Sequence, residues 1–352
     1  MRITCKSLAQ ELDLAQSTVS MALRDHPRIS PSTRQRVHDA AQRLNYTPNH
    51  IARSMVTGRT CVIGFPTESI KAEHIARLFD GAMKAAFEAG YLIKAIPLST
   101  KMTGKQIAQC CIEHCVCAVV SVPMQHDRLN DMSHALLSHG IPMGVMANSF
   151  SDSLGLRVIT DDQGGMKQAI EHLLDMGHRT IGYLDGDPTT ASSKVRREGY
   201  LKTLKDAGIT PAPQHQVETN FDSVQTHRAV RTMLSSKNNR PTAIVCINDQ
   251  TAMVTMRTAR QLGFCVPNDL SVIGFSNLSM AEYADPPLTS VNQSWSEMGY
   301  ITTQQIILAI ETKQTIDEQW GQQVVMPAKL IVRESTAPPA FEPSPTPAMK
   351  PI

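Results

Sequence analysis

The sequence predicts an α/β protein in which a small all-α helix-turn-helix head precedes two doubly wound parallel-sheet lobes. Three observations support this. Residues 1–60 carry short helical periods and no strand. From Cys61 onward, apolar strands alternate with amphipathic helices, the pattern of parallel sheets covered on both faces. About ten such strands over roughly 270 residues exceed one comfortable sheet. A chain of 352 residues likewise exceeds one core.

In the head, Thr4 can cap a first helix with Leu8 and Leu12 inward. A turn at Asp13-Leu14-Ala15 leads to a second helix from Gln16, with Val19, Ala22 and Leu23 on one face. Ser30-Pro31 reads as N-cap and first residue of a third helix running to Leu44, and Asn45 suits the left-handed residue beyond it. Residues 49–56 read as a further short helix, and 57–60 as a linker.

The alternation that follows places strands at 61–65, 91–96, 116–122, 142–147, 180–185, 214–219, 242–247 and 270–275. Another apolar strand, Val158-Ile159-Thr160, precedes Asp161. Helices are expected at 72–90, 104–114, 127–139, 163–177, 194–208, 223–236 and 249–263. Residues 337–352 hold six prolines and no apolar period, so a disordered tail is expected.

Composition narrows the function. Residues 1–60 contain nine Lys/Arg against four acids, whereas the remainder holds 25 against 28. A basic head on a mildly acidic body points to a polyanionic partner for the head alone. No run reaches the ~18–20 apolar residues of a membrane helix, and no apolar signal region follows Met1, so a cytoplasmic protein is expected. The eight cysteines are expected to be free, small apolar residues. Cys110, Cys111, Cys115 and Cys117 lack zinc-ligand spacing, so no metal or other cofactor is expected. The common nucleophile, metalloprotease, Walker and dinucleotide motifs are absent from the sequence, which argues against an enzyme.

The head resembles the LacI/GalR repressor family along its length. The resemblance lies in Ser17-Thr18-Val19-Ser20, in ISPSTRQRV opening the third helix, and in LNYTPNHIARSMVTGRT. The body is similar to the family at HLLDMGHRTIGYLDG (172–186), RREGY (196–200), CINDQTAM (246–253), LSVIGF (270–275) and PPLTSV (286–291). The resemblance covers about residues 2–336 and implies a head (1–47), a hinge helix and linker (48–60), and a core resembling periplasmic sugar-binding proteins (61–336). It implies lobe one at about 61–159 and 291–320, and lobe two at about 160–290 and 321–336.

In a helix-turn-helix, the start of the second helix reaches base edges in the major groove, here Gln16, Ser17 and Thr18. Ser20 and Met21 on the same helix, and Thr4, are further candidates. Met21 stands where the family commonly has Arg, and Ala15 where it often has a capping Ser, leaving Asp13 as an alternative cap. Arg24, Arg28, Arg34 and Arg59 are phosphate candidates. The resemblance also implies a minor-groove wedge at Met55, flanked by Asn49, His50, Ala52 and Arg53.

Ligands of doubly wound lobes sit at the carboxyl ends of the strands. There the resemblance points to Arg196 and Asn248, with Asp249 and Asp161 as neighbours. Ser276 replaces the family's usual Asp, and the outlet of the first strand brings in Phe65 and Glu68. The resemblance thus implies a homodimeric repressor on a pseudo-palindromic operator, controlled by a small effector such as a sugar. A sugar-binding protein without DNA function and an effector-independent regulator are the alternatives.

Overall fold

The structure, a computed structural model, describes residues 3–23, 25–46, 60–146, 155–235, 239–312, 314 and 323–340. The chain divides into two compact units between Cys61 and Val62. Arg24, Arg59, the expected helix at 49–56 with Asn49, His50, Ala52, Arg53 and Met55, and residues 341–352 of the tail lie outside the described residues.

The head contains α1 (Cys5–Leu12), α2 (Gln16–Ala22) and α3 (Pro31–Arg43). The Ser7 N–H donates to Thr4 Oγ1 at 3.2 Å and the Thr4 N–H to Ser7 Oγ at 2.7 Å, a reciprocal capping box. The Thr33 N–H donates to Ser30 Oγ at 3.2 Å, with Pro31 in the first turn of α3. No side chain caps α2 at Ala15. Asp13, the expected substitute, instead terminates α1 in the left-handed conformation at φ 52°. One cluster closes the head: Leu8, Ala9 and Leu12 of α1, Val19 and Ala22 of α2, Ile29, and Val37, Ala40 and Ala41 of α3.

The second unit contains two six-stranded sheets. In chain order the first lobe has β1 (Val62–Thr67), α4 (Glu73–Glu88), β2 (Leu92–Pro97), α5 (Gly104–Glu113), β3 (Ala118–Ser121), α6 (His126–Leu137), β4 (Met143–Met146) and β5 (Leu156–Thr160). The chain then crosses into α7 (Asp162–Asp175), β6 (Ile181–Asp185), α8 (Ala191–Asp206), β7 (Gln216–Glu218), α9 (Ser223–Ser235), β8 (Ala243–Cys246), α10 (Asp249–Gln261), β9 (Ser271–Ser276), α11 (Ser279–Glu282) and β10 (Thr289–Asn292). It returns through α12 (Trp295–Glu311) to β11 (Gln323–Met326), and crosses again to β12 (Lys329–Ile331). The sheet orders are β11-β5-β4-β3-β1-β2 and β12-β10-β9-β8-β6-β7. Among the described residues only the pairing of β12 with β10 is antiparallel.

Two expected boundaries need correction. Gln323–Met326, expected in the second lobe, pairs with β5 of the first, because the last crossing falls after Met326. Val291 and Asn292, expected in the first lobe, pair with Phe275 and Ser276 of β9. Cys115 and Cys265 are exposed rather than buried, while Cys111 and Cys246 lie in the interior.

Helices α4 and α12 cross where glycine permits backbone contact. A Cβ on Gly81 would lie 1.8 Å from the Ser296 carbonyl oxygen, and one on Gly299 would lie 2.0 Å from that of Leu78. Among the described residues no helix is long and apolar enough to cross a membrane, and no three metal-ligating side chains converge.

Candidate functional site

On the head, the start of α2 presents Gln16 and Ser17 as exposed side chains, with Thr18 and Ser20 half-buried. Val19 and Ala22 anchor the opposite face. Met21 packs partly against the head's core, and Thr4 is exposed at the start of α1. The α2 start is therefore a solvent-facing polar edge held by an apolar back, the geometry a base-reading helix needs.

In the second unit, the strand ends converge on a buried polar network. Arg196 Nε donates to Asp162 Oδ2 at 2.8 Å, and its Nη1 to the Ile247 carbonyl at 2.6 Å. The guanidinium lies 3.9 Å from the centre of the Phe275 ring, a stacking that suits its planar charge. Asp162 Oδ1 accepts from Thr160 Oγ1 at 2.6 Å and from Gln293 Nε2 at 2.8 Å. Gln293 Oε1 in turn accepts from Ser276 Oγ at 3.0 Å. Arg196, Asp162, Gln293 and Ser276 are all buried. Thr160 and Asp162 flank the first crossing between lobes and Gln293 lies in the second, so the network ties both crossings to Arg196. Ser276 adopts φ 111°, a strained value for a side-chain-bearing residue.

The other expected residues are placed differently. Asn248 Oδ1 accepts from the Thr251 N–H at 2.8 Å and caps α10, while Asp161 Oδ1 accepts from the Gly164 N–H at 2.8 Å and caps α7. Phe65 is buried in the first-lobe core, edge-on to Phe79 with ring centres 5.1 Å apart. Glu68 pairs with Arg128 at 2.9 Å.

Asp249 is fully buried: Oδ2 accepts from the Leu278 N–H at 2.7 Å and Oδ1 from Ser290 Oγ at 2.5 Å. Burial pushes its carboxyl up to about 6, against the opposing pull of these hydrogen bonds and of Arg333 and Arg196. A raised carboxyl favours folding while protonated: its contribution is complete below about 3.8 and is lost as pH rises through about 6. Asp249→Asn should therefore be better tolerated at pH 7 than at pH 4.5. Urea midpoints of variant and wild type at the two pH values test this, and an equal difference at both would refute it.

Several participants escaped sequence reasoning. Asp162 and Gln293 carry no motif of their own, and neither does a bridge at the rim between the lobes. There, Arg77 Nη1 donates to the Asn277 carbonyl at 3.0 Å and Nη2 to Ser279 Oγ at 3.2 Å. Glu73 Oε1 accepts from the Ser279 N–H at 2.8 Å and hydroxyl at 2.7 Å. Burial pushes the Glu73 carboxyl up, but the Ser279 hydrogen bonds and the Arg77 charge outweigh it and hold the carboxyl below its ordinary value. His74, 5.5 Å from the Trp295 ring, is pushed down by burial and by the charge of Arg196.

Comparison with known proteins identifies the architecture. Residues 6–49 match the model for bacterial regulatory proteins of the lacI family, and residues 170–336 match a periplasmic binding protein-like domain. The HTH-type transcriptional regulator DegA of Bacillus subtilis is 29% identical over 341 residues, covering 96% of this chain and 99% of DegA. The HTH-type transcriptional repressor PurR of Vibrio vulnificus is 28% identical over 298 residues, covering 84% of this chain and 88% of PurR. In fold, the chain is similar to the lac repressor dimer bound to operator and the anti-inducer ONPF. The TM-score is 0.79 at 22% identity, covering 96% of this chain and all of that one. A basic helix-turn-helix head that matches the lacI-family model and a core that matches a periplasmic binding protein-like domain, aligned with DegA over 96% of this chain, lead to one conclusion: the chain is similar over nearly its whole length to bacterial transcriptional regulators with a lacI-type head.

Proposed function

We propose that the protein is a cytoplasmic repressor that binds a pseudo-palindromic operator as a homodimer and is controlled by a small effector between its lobes. The observation that carries this reading is the buried network from Arg196 through Asp162 to Gln293, because it joins a ligand-facing position to both inter-lobe crossings. A ligand that engages Arg196 must disturb or tighten that network, and so shifts the lobes between arrangements. A second copy is supported by the apolar surface of α4 and β2, where Met83, Phe87 and Leu92 are exposed, Phe87 by 80%. In this reading Gln16, Ser17 and Thr18 read bases, while Thr4, Ser20 and Met21 stand beside them. The hinge residues Asn49, His50, Ala52, Arg53 and Met55 enter the minor groove. Asn248, Asp249, Asp161 and Ser276 border the effector site, and Phe65 shapes it from the core behind.

One observation favours a second reading, an effector-independent regulator: Arg196, Asp249 and Ser276 already spend hydrogen bonds on protein partners.

Selection of operator sequences from random DNA, repeated with Gln16→Ala, tests the head. The variant should lose about 1–3 kcal/mol for the preferred site and relax the preference at one base pair per half-site. An unchanged affinity and preference would remove Gln16 from the docking surface.

A further inference from the structure

Asp185 ends β6, at the carboxyl edge of the second sheet, where doubly wound lobes receive their ligands. The residue is only 2% exposed. Its Oδ1 accepts from the Gly186 N–H at 2.8 Å and from the Tyr183 hydroxyl at 3.3 Å. Its Oδ2 is buried and has no hydrogen-bond partner among the described residues. The Arg197 guanidinium stands beside it with Nη1 at 3.6 Å, beyond hydrogen-bond reach, and donates that nitrogen to Glu218 at 3.0 Å. Burial pushes the Asp185 carboxyl above its ordinary range, with the Gly186 N–H and Arg197 opposing. A buried carboxylate oxygen without a donor is costly, and packing alone gives no reason to keep it.

The other buried carboxylates of this region have no such vacancy. Asp162 receives donors on both oxygens, and so does Asp249. Ser276 brings only a hydroxyl, which it donates to Gln293. The surroundings of Asp185 are also of a particular kind. A Cβ on Gly186 would lie 2.3 Å from Phe221 Cζ and 2.7 Å from Ser193 Oγ, so a ring and a hydroxyl stand directly against the backbone beside the carboxylate. An aromatic ring against the residue that follows an unsatisfied acceptor suits a ligand with a C–H face and hydroxyl donors at its edge.

We propose that Asp185 is an effector contact that accepts a hydrogen bond from a hydroxyl of a sugar-like ligand. The carboxylate acceptor of the cleft then stands on β6, with β8 between it and Ser276 of β9, roughly 10 Å away across two strand spacings. This rests on the effector reading above. It adds that the ligand presents a hydroxyl on the β6 side of the cleft, away from the β9 end.

The test uses the full-length protein, wild type and Asp185→Asn, with D-ribose, D-glucose, D-galactose and cellobiose as probes in thermal shift and calorimetry. A sugar that binds wild type should bind Asp185→Asn at least tenfold more weakly. Without sugar, the variant should unfold at the same or a higher temperature, because the amide removes a buried charge while its oxygen still accepts from Gly186. Equal affinity for the two proteins would overturn the contact, and a lower unfolding temperature without sugar would reveal a structural role instead. Failure of every probe to bind wild type would overturn the effector reading itself, and this inference with it.

Discussion

Arg196→Ala should destabilise the second unit by about 3–5 kcal/mol, a larger effect than on any ligand contact it makes. Asp162 loses the cationic partner it has in Arg196, in a site from which water is excluded, since the two side chains are 5% and 0% exposed. Removing one member of such a pair strands the other, and the stranded charge is the costly part. The Ile247 carbonyl loses its donor as well, and Phe275 loses the guanidinium stacked on its face. Urea unfolding at pH 7 measures the effect, provided the slope with denaturant is unchanged. The double variant Arg196→Met, Asp162→Asn should recover most of the loss, because it removes the charge together with its partner. A cost below 1 kcal/mol for Arg196→Ala, or no recovery in the double variant, would show that the pair does not hold the site together. Loss of ligand response in Arg196→Ala alone is therefore no proof of contact, whereas Asp185→Asn is expected to keep the fold and so to isolate binding.

How much of this was legible in the sequence depended on range. Ser30-Pro31, Asn45 and Gly90 punctuate helices through their own backbone preferences, and the structure ends or starts helices beside each. Apolar runs such as Cys61 to Phe65 and Ala243 to Cys246 announce buried parallel strands because both faces are covered. Helix α12 was missed because its inward positions include Gly299, Thr302 and Thr303, which blur the apolar stripe that marks a helix. Strands β10, β11 and β12 are three or four residues long, too short to show a period.

The site was less legible than the fold. Resemblance led to Arg196 but said nothing of its partners. Gln293 meets Asp162 across 131 residues, and Arg77 meets Asn277 across 200, so no local pattern could pair them. Asn248 and Asp161 were expected as ligand contacts because they follow strands. The same position is where a helix needs an N-cap, and both side chains cap. Position at a strand end thus selects for two roles at once, and only the hydrogen-bond partners separate them.

The head offers the second large effect. Leu8→Ala should cost about 2–5 kcal/mol, because Leu8 is fully buried where α1 meets α2 and α3. Apart from Leu8, Leu12, Val19, Ile29 and Val37, the buried cluster consists of alanines, so the neighbours have little side chain with which to refill the space. A unit of this size has only a few kcal/mol to lose. If its stability is about 3 kcal/mol and the substitution costs about 4, roughly one head in six is folded at any moment. Operator affinity falls in proportion to the folded fraction, and a dimer needs both heads, so the loss is about 40-fold. The second unit has its own cores and should keep its urea midpoint. Leu8→Met, which conserves volume, should stay within about 1.5 kcal/mol and retain nearly full affinity. Fluorescence anisotropy on the selected operator reads the first effect, and the urea midpoint of the second unit reads the control. Operator affinity of Leu8→Ala within threefold of wild type would mean that the head draws its stability from somewhere other than this cluster.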